Sequence, residues 1–246
     1  SKRIFILGST GSIGTNALEV IQHLQQLDGK EAWEVVGLAA GSNNTLLTQQ
    51  ASLLSVDALA IVSGDINYGK HHYTGDQCAV ELLSNHAQKG DLVLAGIVGF
   101  SGVASVLTAI ELGCDVALAN KEALVAAGSI VMDAIHENSV TLLPVDSEHA
   151  AIFQCLGGTS MKGVRSIVLT ASGGSLRDYT KEQIEDVSRE DVLSHPTWQM
   201  GEKVTVDSAS LMNKALEMVE AHWLFGASNE QIKTVMHRAS LVHGLV

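Results

Sequence analysis

Two carboxylates stand two residues apart in Pro144-Val-Asp-Ser-Glu-His149, at the end of the apolar run Val140-Thr-Leu-Leu-Pro-Val145. The run predicts a strand, and side chains alternate along a strand, so Asp146 and Glu148 share a side wherever extended geometry persists. Carboxylates held together repel unless a cation, or a proton kept at a raised pKa, offsets the charge. Hard oxygen ligands of this kind suit Mg²⁺ or Mn²⁺. The alternative is an Asp/Ser/Glu turn capping a helix that starts at about Glu148.

A second set of chemical groups lies further on. The pattern predicts a strand over Lys203-Val-Thr-Val206 and then a long helix from about Ser208 to Leu224. At about 100° per residue, Met212, Ala215, Leu216, Val219 and Trp223 form one apolar stripe. Ser210, Asn213, Lys214 and Glu217 form a polar arc beside it. Glu217 could add a third carboxylate to the Asp146/Glu148 pair. A helix start at Ser208 offers unpaired backbone N–H groups and a hydroxyl, to which Asn213 and Lys214 add donors, together a phosphate cradle. The alternative is a solvated helix face. Ser172, beside Gly173-Gly174, reads as a further phosphate donor or as a turn residue. Trp198, in the loop His195-Pro-Thr-Trp-Gln-Met-Gly201, reads as an anchor on the core or as a water-excluding lid. His149 and His243 are second-rank candidates, and Lys70-His-His-Tyr73 reads as a polar surface loop.

These groups need elements to position them. The first half alternates strand-like runs (Ile4–Leu7, Val35–Ala40, Ala58–Val62, Leu92–Ala95, Val116–Ala119) with helical segments, which implies βαβ crossovers and a parallel sheet. Gly8-Ser-Thr-Gly-Ser-Ile-Gly14 follows the first strand, where a dinucleotide-binding fold needs glycines so that backbone can approach a pyrophosphate at a helix N-terminus. The second strand ends in Gly41-Ser42-Asn43 with no acidic residue to hold a ribose 2′-hydroxyl or repel a 2′-phosphate, which favours NADP over NAD. Asn120-Lys121-Glu122 opens a helix at the C-terminal end of another strand. A helix dipole does not favour lysine there, which points to a functional Lys121 over a merely solvated one. The expected architecture is α/β: a Rossmann-like parallel sheet over residues 1–143 and a second α+β catalytic domain over 144–246, with charged helical segments near 180–193.

With 246 residues, 46% of them hydrophobic, the chain can bury a substantial core. A net charge of −12 with no basic run argues against general nucleic-acid or anionic-membrane binding. Cys78, Cys114 and Cys155 are odd in number and far apart, and no signal peptide or membrane-spanning run is evident, so a cytoplasmic protein is expected.

The motifs Gly8–Gly14, Leu118-Ala-Asn-Lys-Glu122, Pro144–His149, Ala151-Ile-Phe-Gln154, Ser172-Gly-Gly174, His195–Gly201 and Val206-Asp-Ser-Ala-Ser-Leu-Met-Asn-Lys214 together resemble the 1-deoxy-D-xylulose 5-phosphate reductoisomerases. The resemblance implies rearrangement of 1-deoxy-D-xylulose 5-phosphate and its NADPH reduction to 2-C-methyl-D-erythritol 4-phosphate, in non-mevalonate isoprenoid synthesis. It implies Mg²⁺ or Mn²⁺ on Asp146, Glu148 and Glu217. It places substrate on Lys121, Ser147, Glu148, Ser172, His195, Ser208, Asn213, Lys214 and Glu217, with Lys121, His195 and Trp198 as the catalytic groups and Trp198 on a mobile flap. NADPH falls to Thr10, Gly11, Ser12, Ile13, Gly41, Ser42, Asn43, Asn120, Glu122 and Gly201. The chain departs from the family pattern at Ser42, where a basic residue is common, at Ser175-Leu176, where Pro-Phe is usual, and at Ala215, where glycine is common. Family chains also continue into a helical C-terminal domain, so the sequence reads as a fragment, and a homodimer is expected of the full-length chain. The competing readings are a metal-independent NADPH dehydrogenase of another phosphorylated or semialdehyde substrate, and a catalytically silent nucleotide-binding fragment.

Overall fold

A computed structural model describes residues 1–246, which divide into two compact units, Ser1–Leu143 and Pro144–Val246. The first is built on β1 (Lys2–Leu7), α1 (Ser12–Asp28), β2 (Trp33–Ala40), α2 (Asn44–Leu54), β3 (Ala58–Ile61), β4 (His71–Thr74), α3 (Cys78–His86), β5 (Leu92–Ala95), α4 (Val103–Glu111), β6 (Asp115–Leu118), α5 (Lys121–Asn138) and β7 (Leu142–Pro144). The strands form a seven-stranded sheet in the order β4-β3-β2-β1-β5-β6-β7. Every pairing from β4 across to β6 is parallel. Strands covered on both faces read as continuous apolar runs, and the inner ends of β1, β2 and β3 are buried throughout. Phe5, Ile6, Leu7, Leu38, Leu59 and Ile61 are the largest side chains of that core.

Chain order reverses at β1, whose neighbours are β2 and β5. Open α/β sheets bind ligands at such a switch point, beyond the C-terminal strand ends. The register sets Leu7 beside Ala39 and Ala95, and Ala95 beside Leu118, so the loops after β1, β2, β5 and β6 leave the same edge of the sheet. One expectation fails here. His71-His-Tyr is an edge strand paired to β3, not a loop; its polar side chains suit an edge, where exposure costs them little.

The second unit contains α6 (Ser147–Leu156), β8 (Ile167–Ala171), α7 (Lys181–Glu185), α8 (Arg189–Leu193), α9 (Glu202–Ala209), α10 (Met212–Phe225), β9 (Ile232–Met236) and β10 (Gly244–Leu245). Its three-stranded sheet runs β10-β8-β9, with β8 parallel to β9 and antiparallel to β10. Ile152 and Leu156 of α6 pack with Ile167, Leu169, Ala221 and Ile232 as its core. The α7 and α8 helices each begin in a capping box, Thr180 with Gln183 and Ser188 with Asp191.

Two expectations are corrected in this unit. Residues 203–206 are helical: Gly201 starts α9, Glu202 complements its dipole, and Lys203 pairs with Asp207 one turn on at 2.6 Å. The β-branched run Val204-Thr-Val206 yields to those helix signals. The long helix therefore does not begin at Ser208, which sits in the last turn of α9. The chain breaks at Leu211 (φ +64°) and restarts at Met212, so Ser208 offers no helix N-terminus. No helix of either unit is long and apolar enough to cross a membrane.

Candidate active site

In the first unit the glycine loop is held from three sides. Gly8 and Ser9 N–H both donate to Ala39 O at 2.8 Å, Gly96 N–H donates to Leu7 O at 2.8 Å, and Gln50 Nε2 donates to Ser9 O at 2.8 Å. Gly8 has φ +84°, and a Cβ there would lie 2.5 Å from Gly96 O, so only glycine lets the β1 and β5 loops meet. Gly11 sits at the N-cap of α1 with no acidic residue in the first turn, leaving the N–H groups of that turn without intrahelical partners. Ser12 and Ile13 are exposed. At the end of β2, Gly41, Ser42 and Asn43 are exposed, and the Asn43 carboxamide caps α2 by accepting from Leu46 N–H at 3.1 Å.

Asn120 is buried, and its side chain is committed internally. Nδ2 donates to Ile97 O at 2.5 Å and Gly99 O at 2.9 Å, while Oδ1 caps α5 by accepting from Ala123 N–H at 3.1 Å. It fixes the loop after β5. Lys121 is buried too, at 7% exposure, which disposes of the solvated-lysine alternative; Glu122 follows it in the first turn of α5. Sequence reasoning missed Ser9 and Gln50. A polar residue mid-helix gives no pattern until its partner loop is known.

In the second unit, Asp146 occupies the N-cap position of α6, but its carboxylate makes no capping bond. The strand ends at Pro144 and the helix begins at Ser147, so strand alternation does not align Asp146 with Glu148. Helix geometry brings them together instead. Oxygens of Asp146, Glu148 and Glu217 lie within 4.8 Å of one another. Ser147 Oγ donates to Glu148 Oε2 at 2.7 Å, Asn213 Nδ2 donates to Glu217 Oε1 at 2.5 Å, and Lys214 Nζ reaches Glu148 Oε1 at 3.3 Å and pairs with Glu217 Oε2. Three carboxylates against one ammonium leave an excess of negative charge that a divalent cation would offset. An all-oxygen donor set of this kind fits Mg²⁺ or Mn²⁺.

Behind the trio, His149 ties the two helices: its Nε2 donates to Glu217 O at 2.9 Å and its ring stacks on Phe225. His149 Nδ1 faces Glu220 at 3.6 Å and Asp146 at 3.9 Å. Glu220 escaped the sequence reading, although it continues the i, i+3 series from Lys214 and Glu217. That face is the buried one. Lys214, Glu217 and Glu220 are each at most 8% exposed, whereas Met212 of the expected apolar stripe is 52% exposed and Val219 39%.

Ser172 Oγ lies 3.3 Å from His195 Nε2, and Arg177 Nη1 donates to Ser172 O at 2.7 Å. Gly174 (φ +71°) packs against Ser208 so closely that a Cβ would overlap its carbonyl, which brings the Ser172 turn and Ser208 together. Burial, and next the Arg177 charge, hold His195 below the ordinary histidine pKa. Trp198 is half exposed, its ring 6.0 Å from that of His243; it is not an anchor in the core. Gly201 is the N-cap of α9.

Residues 4–128 match the family model for 1-deoxy-D-xylulose 5-phosphate reductoisomerase, and residues 142–225 match that for its C-terminal domain. The chain belongs to the 1-deoxy-D-xylulose 5-phosphate reductoisomerase family. The relative of that name from Protochlamydia amoebophila (strain UWE25) is 46% identical over all of this chain, which spans 64% of the relative's length. A solved reductoisomerase in complex with NADPH, fosmidomycin and magnesium superposes with a TM-score of 0.89 at 33% identity, covering 99% of this chain and 63% of that one. The Zymomonas mobilis reductoisomerase in complex with NADPH gives 0.85 at 34% identity, covering 99% and 63%. Membership accounts for the sequence motifs being spread over both units, since each family model draws on one of them.

Proposed function

We propose that the chain carries the nucleotide-binding and catalytic parts of a cytoplasmic, NADPH- and divalent-metal-dependent enzyme that rearranges and reduces 1-deoxy-D-xylulose 5-phosphate to 2-C-methyl-D-erythritol 4-phosphate. The observation that carries this reading is the convergence of the Asp146, Glu148 and Glu217 carboxylates, in a member of this family. A related structure is described in complex with NADPH, fosmidomycin and magnesium, so the nucleotide and the metal of this reading occur together in a relative.

Asp146, Glu148 and Glu217 would hold the metal, and the β1, β2 and β5 loops with Asn120 and Glu122 would hold or shape the NADPH site. Bound there, the metal supplies a Lewis acid that polarises a carbonyl, and NADPH supplies hydride. The chain's own groups do the rest. The first turn of α1 presents backbone N–H groups to a pyrophosphate. Ser42 and Asn43 offer neutral donors to a 2′-phosphate, with no carboxylate to repel it. Lys121, buried at the start of α5, fixes a substrate oxygen; Ser147 orients Glu148 through its hydroxyl. Lys214 sits between Glu148 and Glu217, where it holds their negative charge in place and offers a cation to a substrate oxygen. Ser172, Ser208, Asn213 and His195 supply donors for the phosphate end. Trp198 on its half-exposed loop excludes water. A homodimer belongs to the same reading of the full-length protein.

The test is turnover of 1-deoxy-D-xylulose 5-phosphate by the full-length protein, followed as NADPH consumption with and without a chelator. Activity is expected only with Mg²⁺ or Mn²⁺. Full activity in chelator would instead mark a metal-independent dehydrogenase, and normal NADPH binding with no product at saturating Mn²⁺ a catalytically silent nucleotide-binding protein.

A further inference from the structure

We infer that the backbone of the Trp198 loop holds His195 as a neutral Nε2–H donor, and that this makes the Ser172 hydroxyl an obligate donor toward a bound anion. The inference rests on the reading above that Ser172 faces the phosphorylated end of the substrate. Its own ground is the direction of a chain of hydrogen bonds.

His195 Nδ1 lies 2.9 Å from Trp198 N and 3.2 Å from Thr197 N, and both backbone groups donate to it. A backbone N–H can only donate, so Nδ1 presents its lone pair and the ring proton resides on Nε2. Nε2 in turn lies 3.3 Å from Ser172 Oγ. With the proton on nitrogen, the ring donates and the hydroxyl oxygen accepts. A serine hydroxyl that accepts in this way still has its single hydrogen to give elsewhere. Arg177 anchors the same serine from behind, donating to its carbonyl at 2.7 Å. Arg177 is also the charged group facing the imidazole, and together with burial it opposes a second proton on the ring.

Every bond in the series points one way: Thr197 and Trp198 N–H to His195, His195 to Ser172, Ser172 to the ligand. Aligned bonds polarise one another. The arrangement therefore suits an acceptor-only ligand such as a phosphate oxygen. It does not suit a general base, because one ring nitrogen is capped by two donors and the other carries the proton. His195 is a donor and positioning group, and the proton movements of the reaction fall to other residues.

The tautomer can be read directly by long-range ¹H–¹⁵N correlation on the protein labelled at histidine, with the His195 signal identified as the one lost in His195→Asn. At about pH 7.5 a neutral ring protonated on Nε2 is expected. A ring protonated on Nδ1, or an imidazolium at that pH, overturns the relay. Titration with inorganic phosphate tests its purpose. Asparagine keeps an acceptor for the Thr197 and Trp198 N–H groups and removes the donor to Ser172, so phosphate should bind roughly fivefold to tenfold more weakly. Unchanged affinity overturns the role assigned to the relay. An Nε2–H ring in a wild-type protein that binds no phosphate overturns the substrate-site reading and the anion half of the inference, while the relay itself stands.

Discussion

Replacing Glu217 by glutamine removes one negative charge from the carboxylate trio with almost no change of shape. Two effects of different size follow. In the metal-free protein, the glutamine carbonyl can still accept from Lys214 or Asn213, and Lys214 keeps Glu148 at 3.3 Å. Truncating one member of a buried ion pair costs about 3 to 5 kcal/mol, but here a retained partner and relief of carboxylate repulsion both offset it. The expected loss of stability is about 1 to 2 kcal/mol, close to that of one weakened hydrogen bond to a charged group. The effect on metal is much larger. A unit charge about 4 Å from a divalent cation is worth roughly 8 kcal/mol gross at an effective dielectric of about 20. Even outer-shell changes around metals cost about 10- to 100-fold in affinity, so losing a ligand charge should cost more than about 100-fold. Mn²⁺ binding followed by calorimetry should weaken at least that much, NADPH binding should be nearly unchanged, and turnover should be lost. Wild-type Mn²⁺ affinity in Glu217→Gln would refute the assignment, as would equal losses of metal and NADPH binding.

Arg3 Nε lies 2.9 Å from Asp91, whose side chain is 3% exposed, so Arg3→Met leaves a buried carboxylate with no cation, only the Gln88 N–H at 3.0 Å, and should cost about 3 kcal/mol in urea unfolding. A loss below about 1 kcal/mol would show that the pair is not a structural tie. Gly174→Ala combines φ +71° with overlap on the Ser208 carbonyl and should destabilise by at least about 2 kcal/mol, measured in the same way. Burial pushes the Cys114 thiol up to about 11, against 9.0 for the free group. The folded protein thus holds a proton that the unfolded chain releases between those values, so stability is lost as pH rises through that window. Cys114→Ala should abolish about 2 to 3 kcal/mol of that alkaline loss, seen as the wild-type-minus-variant difference between about pH 8 and pH 11; a difference that does not vary with pH would count against it. Of the three thiols Cys155 alone is exposed, and a disulfide reagent near pH 8 should label one cysteine per native chain and three after unfolding.

Much of the first unit was legible because its signals are local. Apolar runs broken by glycines gave the strands and crossovers, and Asn120 and Asn43 cap the helices that the pattern begins beside them. The internal bonds of Asn120 were not legible, since its partners Ile97 and Gly99 lie more than twenty residues away in sequence. In the second unit Asp146 and Glu148 were brought into view by a strand argument that the fold does not honour. They meet because α6 begins one residue after Asp146, and Glu217 reaches them from a separate helix. Arg177 was passed over because nothing in its type or spacing says that its guanidinium turns back onto the carbonyl of Ser172.

The α10 helix shows where periodicity stops being informative. Residues 212–225 do divide into an apolar and a polar face, as a period of about 3.6 residues allows. Which face turns inward is a separate question, and the hydrophobic effect alone answers it in favour of Met212 and Val219. The fold answers otherwise, with Lys214, Glu217 and Glu220 inside. A buried charge is tolerable only when paired, and here pairing is abundant: Lys214 with Glu148 and Glu217, Asn213 with Glu217, and His149 bridging to the Glu217 carbonyl. Each partner except Asn213, Lys214 and Glu217 themselves comes from α6, some seventy residues earlier, so the compensation cannot be read within the helix. Such a helix spends stability on holding charges in fixed positions, which a merely structural helix has no reason to do. The inverted face is therefore itself an argument for function, and it points to the same three carboxylates that the motif at Pro144–His149 first raised.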